Sequence, residues 1–253
     1  MKKTLFILIT LFSFNAFAAG GPNAAKTPQQ LKWEFEGIFG RFDQSSIQRG
    51  YQVYKEVCSS CHGLDLVAYR NLEEIGFSAD EVKAIAAGNI VVDGPDDQGD
   101  MFDRPGLPSD KFVNPFDNEN AARASNGGAY PPDLSLMVKA RPDGANYVYS
   151  LLMGYQDAPD EFELASGKSY NPYFEGRQIS MPQPLNDDDQ IEYTDGTFAT
   201  KEQMAIDVTN FLQWSAEPEM EQRKKMGVRS LIFLSILLIL LIAAKRAVWK
   251  NVK

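Results

Sequence analysis

The residues best suited to chemistry lie together in one short stretch. The chain contains two cysteines and one histidine, and they occur as Cys58-Ser59-Ser60-Cys61-His62. This is the C-x-x-C-H pattern of covalent c-type haem attachment. Two thiols three residues apart can each bond one haem vinyl group, and the next residue can place an imidazole beneath the iron. We therefore predict one covalent haem c, with Cys58 and Cys61 as its attachment points and His62 as an axial iron ligand.

Other interpretations of this motif are less favoured. In an exported protein two cysteines at this spacing can form a redox-active dithiol or a simple disulfide. For His62 the alternative is a hydrogen-bonded core histidine. A zinc site would need four cysteines or a second pair of histidines, and the chain has neither. The adjoining histidine and the export signal described below favour haem, whose attachment consumes both thiols.

The second axial ligand is open at this stage. With no other histidine, methionine thioethers are the strongest possibilities, and seven methionines follow the initiator: Met101, Met137, Met153, Met181, Met204, Met220 and Met226. Met137, Met153 and Met204 occupy apolar helical positions that are typical of a core. Met181 stands in the segment Gln178–Leu185, which two prolines stiffen. This favours Met181, and an open or water-ligated iron is the alternative.

The N-terminal 18 residues have the form of a secretory signal peptide. Lys2 and Lys3 precede the apolar run Leu5–Phe14, and Ala16-Phe17-Ala18 gives the small residues that a signal peptidase needs. We predict cleavage after Ala18. A retained anchor helix is the alternative, but the apolar run is too short to cross a bilayer.

A second apolar segment near the C-terminus predicts a transmembrane helix over residues 228–248. Leu231–Ala244 carries no charge and is roughly 21 Å long as a helix. The flanking side chains of Arg229, Lys245 and Arg246 can extend outward, so the span reaches about 30 Å. The alternative is a buried helix of a soluble protein. Since Lys and Arg flank both ends, the export signal decides the orientation. It predicts a single-pass bacterial inner-membrane protein with residues 19–227 in the periplasm and a cytoplasmic tail at residues 249–253.

Composition and charge limit the possible partners. The chain has 253 residues, of which 44% are hydrophobic and 23% charged, as in globular proteins. Residues 19–222 contain all 34 acidic residues and 15 basic ones, which gives this part a net charge of -19. Nucleic acid is therefore a poor partner, because phosphate binding needs a basic surface. A basic protein fits better, and acids that only keep the domain soluble are the alternative.

Periodicity predicts short helices joined by long loops. The first helix runs from Asp43 through Val57, with Ile47, Tyr51 and Tyr54 on one face, and ends at the haem motif. Three further helices follow: one from a capping box at Ser78 and Glu81 to Gly88, one over Asp143–Gly154 with Tyr147, Leu151 and Tyr155 on one side, and one after a capping box at Thr200 and Gln203. We expect the last helix to cover the first. The Gly-, Pro- and Asp-rich stretches 93–115 and 157–195 are predicted loops that are either functional or solvated.

Five stretches in this order resemble the cytochrome c1 family, the membrane-anchored haem subunits of ubiquinol:cytochrome c reductase. They are Ser46–Asn71, Asp93–Gly106, Ala121–Arg141, Asn171–Leu185 and Asp207–Gly227. C-x-x-C-H alone is weakly specific, whereas five ordered stretches followed by an anchor are highly specific. The chain differs from the family in ending soon after the span and in lacking the extra cysteine pair of some bacterial relatives. Neither difference touches the haem site.

The resemblance implies roles for further residues. Met181 becomes the second axial ligand and Arg123 the partner of a haem propionate, while Tyr130, Pro131 and Pro132 form the wall of the haem pocket. It also implies the fold class, which is an all-α, class I cytochrome c-like haem domain with long loop insertions plus one C-terminal transmembrane helix.

The implied function is one-electron transfer. By resemblance the chain accepts an electron from the Rieske iron-sulfur protein and passes it to a basic cytochrome c. It is not an enzyme by itself but a redox subunit of a quinol–cytochrome-c reductase complex that also contains cytochrome b and is dimeric. One alternative is a membrane-anchored c-type cytochrome that feeds a terminal oxidase or a nitrogen-oxide reductase. A haem sensor or peroxidase is another, and it would need an open iron face.

Overall fold

The computed structural model describes residues 24–251 and is mainly helical. The predicted signal peptide, residues 1–18, lies outside the described residues, as do the last two residues of the tail. The helices are α1 (Gln44–Glu56), α2 (Ala79–Ala87), α3 (Glu119–Ser125), α4 (Met137–Ala140), α5 (Gly144–Met153), α6 (Lys201–Ala216) and α7 (Met220–Val248). The predicted all-α fold class, with one long apolar helix at the C-terminal end, is confirmed.

Helix α1 begins where the sequence predicts, and its predicted apolar face is buried. The Asp43 carboxylate accepts hydrogen bonds from the amides of Ser45 and Ser46 at 3.0 and 3.3 Å, which caps the helix N-terminus. Ile47, Tyr51 and Tyr54 are all buried on one face. The helix ends at Glu56, and the haem motif follows at once.

Helix α6 covers α1, which confirms the predicted pairing. The two backbones meet at Gly50, where a Cβ atom would lie 2.0 Å from the Asp207 carbonyl oxygen. Around this crossing the Phe211 ring lies against those of Tyr51 and Tyr54, with centroids 5.8 and 5.6 Å apart. The absence of a side chain at Gly50 therefore sets how closely the two helices approach.

The other predicted helices form with small differences at their starts. Ser78 and Glu81 make the full capping box of α2. At α6 the Thr200 hydroxyl accepts from the Gln203 amide at 3.0 Å, but the Gln203 side chain donates to Asp207 instead of completing the box. Asp143 precedes α5 in a left-handed conformation, with φ +62°, and does not cap it.

The face predicted on α5 is not its most buried one. Tyr147 and Leu151 on that face are only half-buried, as is Tyr155 just beyond the helix. Tyr149 and Leu152 are buried deeper, because α5 packs against α4 and α6. The predicted face is thus the less buried side of α5, although Tyr147 still packs against the edge of the core.

Two small antiparallel sheets interrupt the predicted loops. Strand β1 (Ile90–Asp93) pairs with β2 (Phe102–Pro105), with Ile90 opposite Pro105. Strand β3 (Ser169–Tyr170) pairs with β4 (Gln178–Ile179). Arg104 of β2 binds the carboxylates of Asp93 and Asp110, which ties the first hairpin to the chain that follows it. Apart from a short 3-10 helix at Glu175–Arg177, the remaining chain in these stretches is irregular.

Helix α7 is long and apolar enough to cross a membrane. It begins at Met220, eight residues before the predicted span, so the predicted boundary between residues 227 and 228 lies inside a continuous helix. Its first turns are docked on the haem domain: Met220 is buried, and Glu217 just before it pairs with Arg223 and Lys139. The apolar helix is therefore a direct extension of the domain.

Replacing Gly50 tests the helix crossing. Ala at this position gains about 1 kcal/mol in helix propensity, but its Cβ would collide with a backbone oxygen that cannot rotate away. We expect Gly50→Ala to lower the free energy of unfolding by about 2 kcal/mol net, measured by chemical denaturation of the full chain in detergent. Gly88→Ala is the control, because its Cβ would have no neighbour closer than 3.4 Å. Unchanged stability of Gly50→Ala would show that the crossing is not this tight.

Candidate haem site

The C-x-x-C-H motif forms a tight turn directly after α1. Cys58–Ser60 is a single 3-10 turn, and the amides of Cys61 and His62 both donate to the Cys58 carbonyl, at 3.1 and 3.0 Å. The Tyr54 hydroxyl on the buried face of α1 donates to the His62 carbonyl at 3.0 Å. These bonds hold the two thiols and the imidazole in one turn that is fixed to the core.

The two cysteines are free thiols and are both partly exposed. Burial raises the pKa of Cys58 to about 12, and the neighbouring Cys61 acts in the same direction. A redox-active dithiol needs a thiol with a lowered pKa. The environment of Cys58 therefore disfavours the dithiol alternative and leaves a thiol for attachment.

The ring of His62 is oriented by a backbone carbonyl. Its Nδ1 atom lies 2.7 Å from the Pro132 oxygen. Because a carbonyl oxygen only accepts, Nδ1 carries the proton and Nε2 keeps its lone pair, as a metal ligand requires. Burial lowers the pKa of His62, although the hydrogen bond to Pro132 and the charge of Asp133 oppose the shift. The ring is therefore held as a neutral imidazole.

The segment Pro132–Ser135, here called the strap, is tied along the residues that follow His62. The Asp65 amide donates to the Asp133 carboxylate at 2.7 Å, and the Leu66 amide donates to the Ser135 hydroxyl at 3.1 Å. The Leu134 amide donates to the Gly63 carbonyl at 3.0 Å. With the His62 contact, four hydrogen bonds fix the strap, so the position of the Pro132 carbonyl is well determined.

A pocket of about 200 Å³ opens beside Cys61. Its walls include Ala122, Tyr130 and Pro131, together with Gly63, at which a Cβ would lie 1.9 Å from the side-chain oxygen of Asn114. Tyr130 and Pro131 line this pocket, and their role as the wall of a haem pocket stays a prediction. Pro132 acts through its carbonyl on His62. The two thiols and the oriented imidazole, held in one turn, fit a covalently attached haem.

Arg123 lies on α3 at the edge of this pocket. Its guanidinium pairs with Glu119 at 2.6 Å, donates to the Gly128 carbonyl at 3.0 Å and lies over the Tyr130 ring, 5.5 Å from its centroid. It is therefore next to two pocket residues, Glu119 and Tyr130, and already bound to a carboxylate. Its role as propionate partner stays a prediction.

Met181 stands on a loop that is held at several points. Strand β4 ends two residues before it, the Tyr155 hydroxyl donates to the Met181 carbonyl at 3.1 Å, and Leu185 beyond it is buried. Lys168 donates to the preceding Ser180 hydroxyl at 2.8 Å. The thioether is half-buried. The expected rigidity of this segment is present, and ligation of iron by Met181 stays a prediction.

Sequence reasoning missed the residues that support the motif. Tyr54 was assigned only to the helix face, and the strap residues Asp133 and Ser135 were not singled out. Asp133 follows two prolines and precedes Ser135 by two residues, and this pattern is typical of a turn. Indeed the Asp133 carboxylate accepts from the Ser135 amide at 2.8 Å. That signal predicts a turn, but it does not predict that the turn binds the chain after His62.

Comparison with known proteins agrees with this geometry. Residues 33–252 match the Cytochrome C1 family. A Rhodospirillum rubrum protein named cytochrome c1 is 53% identical over 237 residues, which cover 87% of this chain and 87% of the relative. The chain belongs to the cytochrome c1 family.

Two mitochondrial relatives of this cytochrome c1 family member carry informative names. An Arabidopsis thaliana protein, "Cytochrome c1 2, heme protein, mitochondrial", is 51% identical over 221 residues, 87% of this chain and 72% of the relative. A Candida albicans protein, "Cytochrome b-c1 complex catalytic subunit, mitochondrial", is 49% identical over 227 residues, 89% of this chain and 78% of the relative. The first name agrees with the predicted haem cofactor.

The attachment of haem through both thiols can be tested directly. We expect haem to remain with the denatured wild-type polypeptide after acid-acetone extraction, and Cys58→Ala combined with Cys61→Ala to abolish this, because no thioether can form. The matched control is Ser59→Ala with Ser60→Ala, which changes the two residues between the thiols and should retain the haem. Loss of haem from the wild type would contradict covalent attachment.

Proposed function

We propose that this cytochrome c1 family member carries one haem c and is the electron-transfer subunit of a ubiquinol:cytochrome c reductase, the bc1 complex. It accepts one electron from the reduced Rieske iron-sulfur protein and passes it to a basic cytochrome c. The observation that carries the proposal is the C-x-x-C-H turn, in which His62 is oriented by the Pro132 carbonyl. The name of the Candida albicans relative supports membership of a b-c1 complex.

Each residue of the site has a separate task. Haem c bound at this site would supply one-electron chemistry. Cys58 and Cys61 would hold the cofactor covalently, and His62 would present its Nε2 lone pair to the iron. The strap keeps the imidazole in one tautomer and one orientation, because Nδ1 stays bonded to Pro132. No group of this chain needs to donate or accept a proton.

We assign the second axial position to Met181 and a propionate to Arg123. Met181 is supported by its loop, which is bonded to Tyr155 and to the β3–β4 pair. Arg123 is supported by its place beside Tyr130 and by a guanidinium that already binds one carboxylate, Glu119. A propionate would compete with Glu119 for the same donors.

The chain is further proposed to be a single-pass protein of the bacterial inner membrane. Its haem domain lies in the periplasm, its C-terminus in the cytoplasm, and α7 crosses the bilayer between them. Cytochrome b, the Rieske protein and the basic cytochrome c are the proposed partners in a dimeric complex. The uncovered apolar length of α7 supports contact with lipid and with other membrane helices.

Purification distinguishes this proposal from a cytochrome that feeds a terminal oxidase or a nitrogen-oxide reductase. We expect the full chain, extracted in mild detergent, to co-purify with a dihaem cytochrome b and an iron-sulfur protein at equal stoichiometry. Co-purification with oxidase or reductase subunits would favour the alternative. The name of the Candida albicans relative favours the first outcome.

Substitution of Met181 tests the axial ligand. Met181→Leu should leave haem attached but lower the reduction potential, because a soft thioether favours Fe(II). It should also remove the near-infrared methionine-to-iron charge-transfer band of the oxidised protein. Met153→Leu is the matched control, since Met153 is a half-buried methionine packed against the core. An unchanged potential and band in Met181→Leu would move the ligand elsewhere.

The acidic surface can be tested by its salt dependence. If it steers a basic cytochrome c, the association rate of the two proteins should fall as the salt concentration rises and the Debye length becomes shorter than about 10 Å. Stopped-flow measurement of the oxidation of this chain by cytochrome c gives that rate. Two variant pairs locate the surface: Asp97→Asn with Asp103→Asn on the exposed β1–β2 hairpin, and Asp160→Asn with Glu161→Gln on the exposed loop before β3. The pair nearer the docking site should lower the rate more at low salt. A rate that is flat or rises with salt would mean that the acids only keep the domain soluble.

A further inference from the structure

The turn Glu36–Gly40, here called the apolar turn, exposes two large apolar side chains. Ile38 is 67% exposed, and Phe39, at 84%, is the most exposed large hydrophobic side chain in residues 24–251. The flanking aromatic residues Trp33 and Phe35 are buried in the core. The exposure is therefore confined to the tip of the turn.

The base of the apolar turn is rigid. The rings of Trp33 and Phe35 stack with centroids 5.5 Å apart, and Phe35 contacts Phe42 at 6.0 Å. The Arg41 amide donates to the Glu34 carbonyl at 3.0 Å, which closes the turn. At Gly40 a Cβ would lie 2.0 Å from the Glu36 oxygen, so the turn can be this tight only with glycine there. The two apolar side chains are thus presented at a fixed place.

Contacts with α7 show the direction in which the turn extends. The Phe42 amide donates to the Glu221 carboxylate at 3.1 Å, and the Lys224 ammonium donates to the Phe35 and Gly40 carbonyls at 2.5 and 3.2 Å. Helix positions 221 and 224 are about 4.5 Å apart along the axis. Going from residue 42 back to residue 40, the chain therefore follows α7 toward its apolar part. Residues 35 and 40, which flank the tip, are thus both bonded to Lys224, the contact nearer to the apolar part.

The exposure of the side chains in the first turns of α7 agrees with this direction. After residue 220, the partly covered residues of its first turns are Glu221, Lys224 and Val228, whereas their neighbours are exposed. Spacings of three and four residues place these three on one helix face. Arg229 is the last charged residue before the uncharged stretch 230–244. One face of α7 is thus covered down to the edge of the apolar part.

We propose that Ile38 and Phe39 insert into the interfacial layer of the bilayer where α7 enters it. This inference rests on the proposed role of α7 as the membrane anchor. Aromatic and aliphatic side chains beside a spanning helix favour the boundary between headgroups and acyl chains. Two side chains at the tip of a narrow turn offer far less area than a stable protein interface needs, whereas the bilayer covers them as soon as α7 is inserted. The apolar turn then fixes the tilt of the haem domain.

Spin labels measure the depth of the tip in a membrane. Because haem attachment consumes both native thiols, Phe39→Cys gives one reactive thiol for a nitroxide in the full haem-bearing chain. The chain is placed in nanodiscs of phosphatidylcholine and phosphatidylglycerol without other subunits. We expect the label at position 39 to be more accessible to oxygen, which partitions into lipid, than to a water-soluble nickel chelate, as measured by power saturation.

Two further labelled variants serve as references. Phe198→Cys replaces another exposed aromatic residue, 61% exposed, at the start of α6, and the length of α6 places it about 24 Å from the end that joins α7. A label at position 198 should be more accessible to the nickel chelate than to oxygen. Leu238→Cys lies in the apolar part of α7 and should show the strongest preference for oxygen.

The combination of results separates the possible failures. If position 238 is lipid-exposed and position 39 behaves like position 198, the apolar turn does not insert and this inference is overturned, while the anchor stands. If position 238 is also exposed to water, the proposed anchor fails and the inference fails with it. If position 39 is in water in nanodiscs but loses access to both reagents in the assembled complex, a protein subunit covers it and the lipid proposal is wrong.

Discussion

A single buried carboxylate, Asp207 of α6, connects the parts of this molecule. Its side chain is fully buried, yet it accepts hydrogen bonds from Ser46 and Arg49 of α1 and from Gln203 of α6. The hydrogen bond to Asp207 raises the pKa of Arg49, so the guanidinium stays charged. Removing one partner of such a buried pair leaves an unpaired charge and costs about 3–5 kcal/mol. The pair thus fixes α1 against α6 at the Gly50 crossing.

Both functional ends of the domain follow from this crossing. The end of α1 carries the haem turn, and Tyr54 on its buried face bonds to the carbonyl of His62. The end of α6 leads within a few residues to α7. The Ser215 hydroxyl of α6 donates to the carbonyl of Ser135, so the strap that orients His62 rests on α6 as well. The imidazole is therefore positioned from both helices.

The sequence correctly predicted the features that depend on residues close together in the chain. The capping residues Asp43 and Ser78 and the buried face of α1 are determined within one helix turn, and the structure has them as expected. The predicted helix over Asp143–Gly154 begins one residue later, at Gly144, because the backbone of Asp143 is left-handed, which its residue type does not reveal. The strands β1 and β2 at the first Gly- and Pro-rich stretch are only four residues long, and apolar and polar residues do not alternate along them. The sequence pattern therefore gave no sign of a strand there. The Pro132 contact joins residues 70 positions apart, and no single-sequence pattern encodes such a bond.

The link from α6 to α7 sets how the haem turn is held relative to a membrane. Burial works against ionisation of Glu217, but the hydrogen bond from Arg223 and the charge of Lys139 keep its pKa below the usual value. Glu217 pairs with Arg223 of α7 and with Lys139 of α4, so it links the two helices. The next residue of α7, Lys224, points to a different side of the helix and binds the carbonyls of Phe35 and Gly40. The first turns of α7 are therefore held from two sides. If α7 is the membrane anchor, as proposed, these contacts connect the orientation of the haem domain to that of the anchor helix. Under the proposed function, electrostatic steering by the acidic surface would change how often a partner arrives, whereas the contacts around Glu217 and Lys224 would determine where the haem turn sits relative to the membrane.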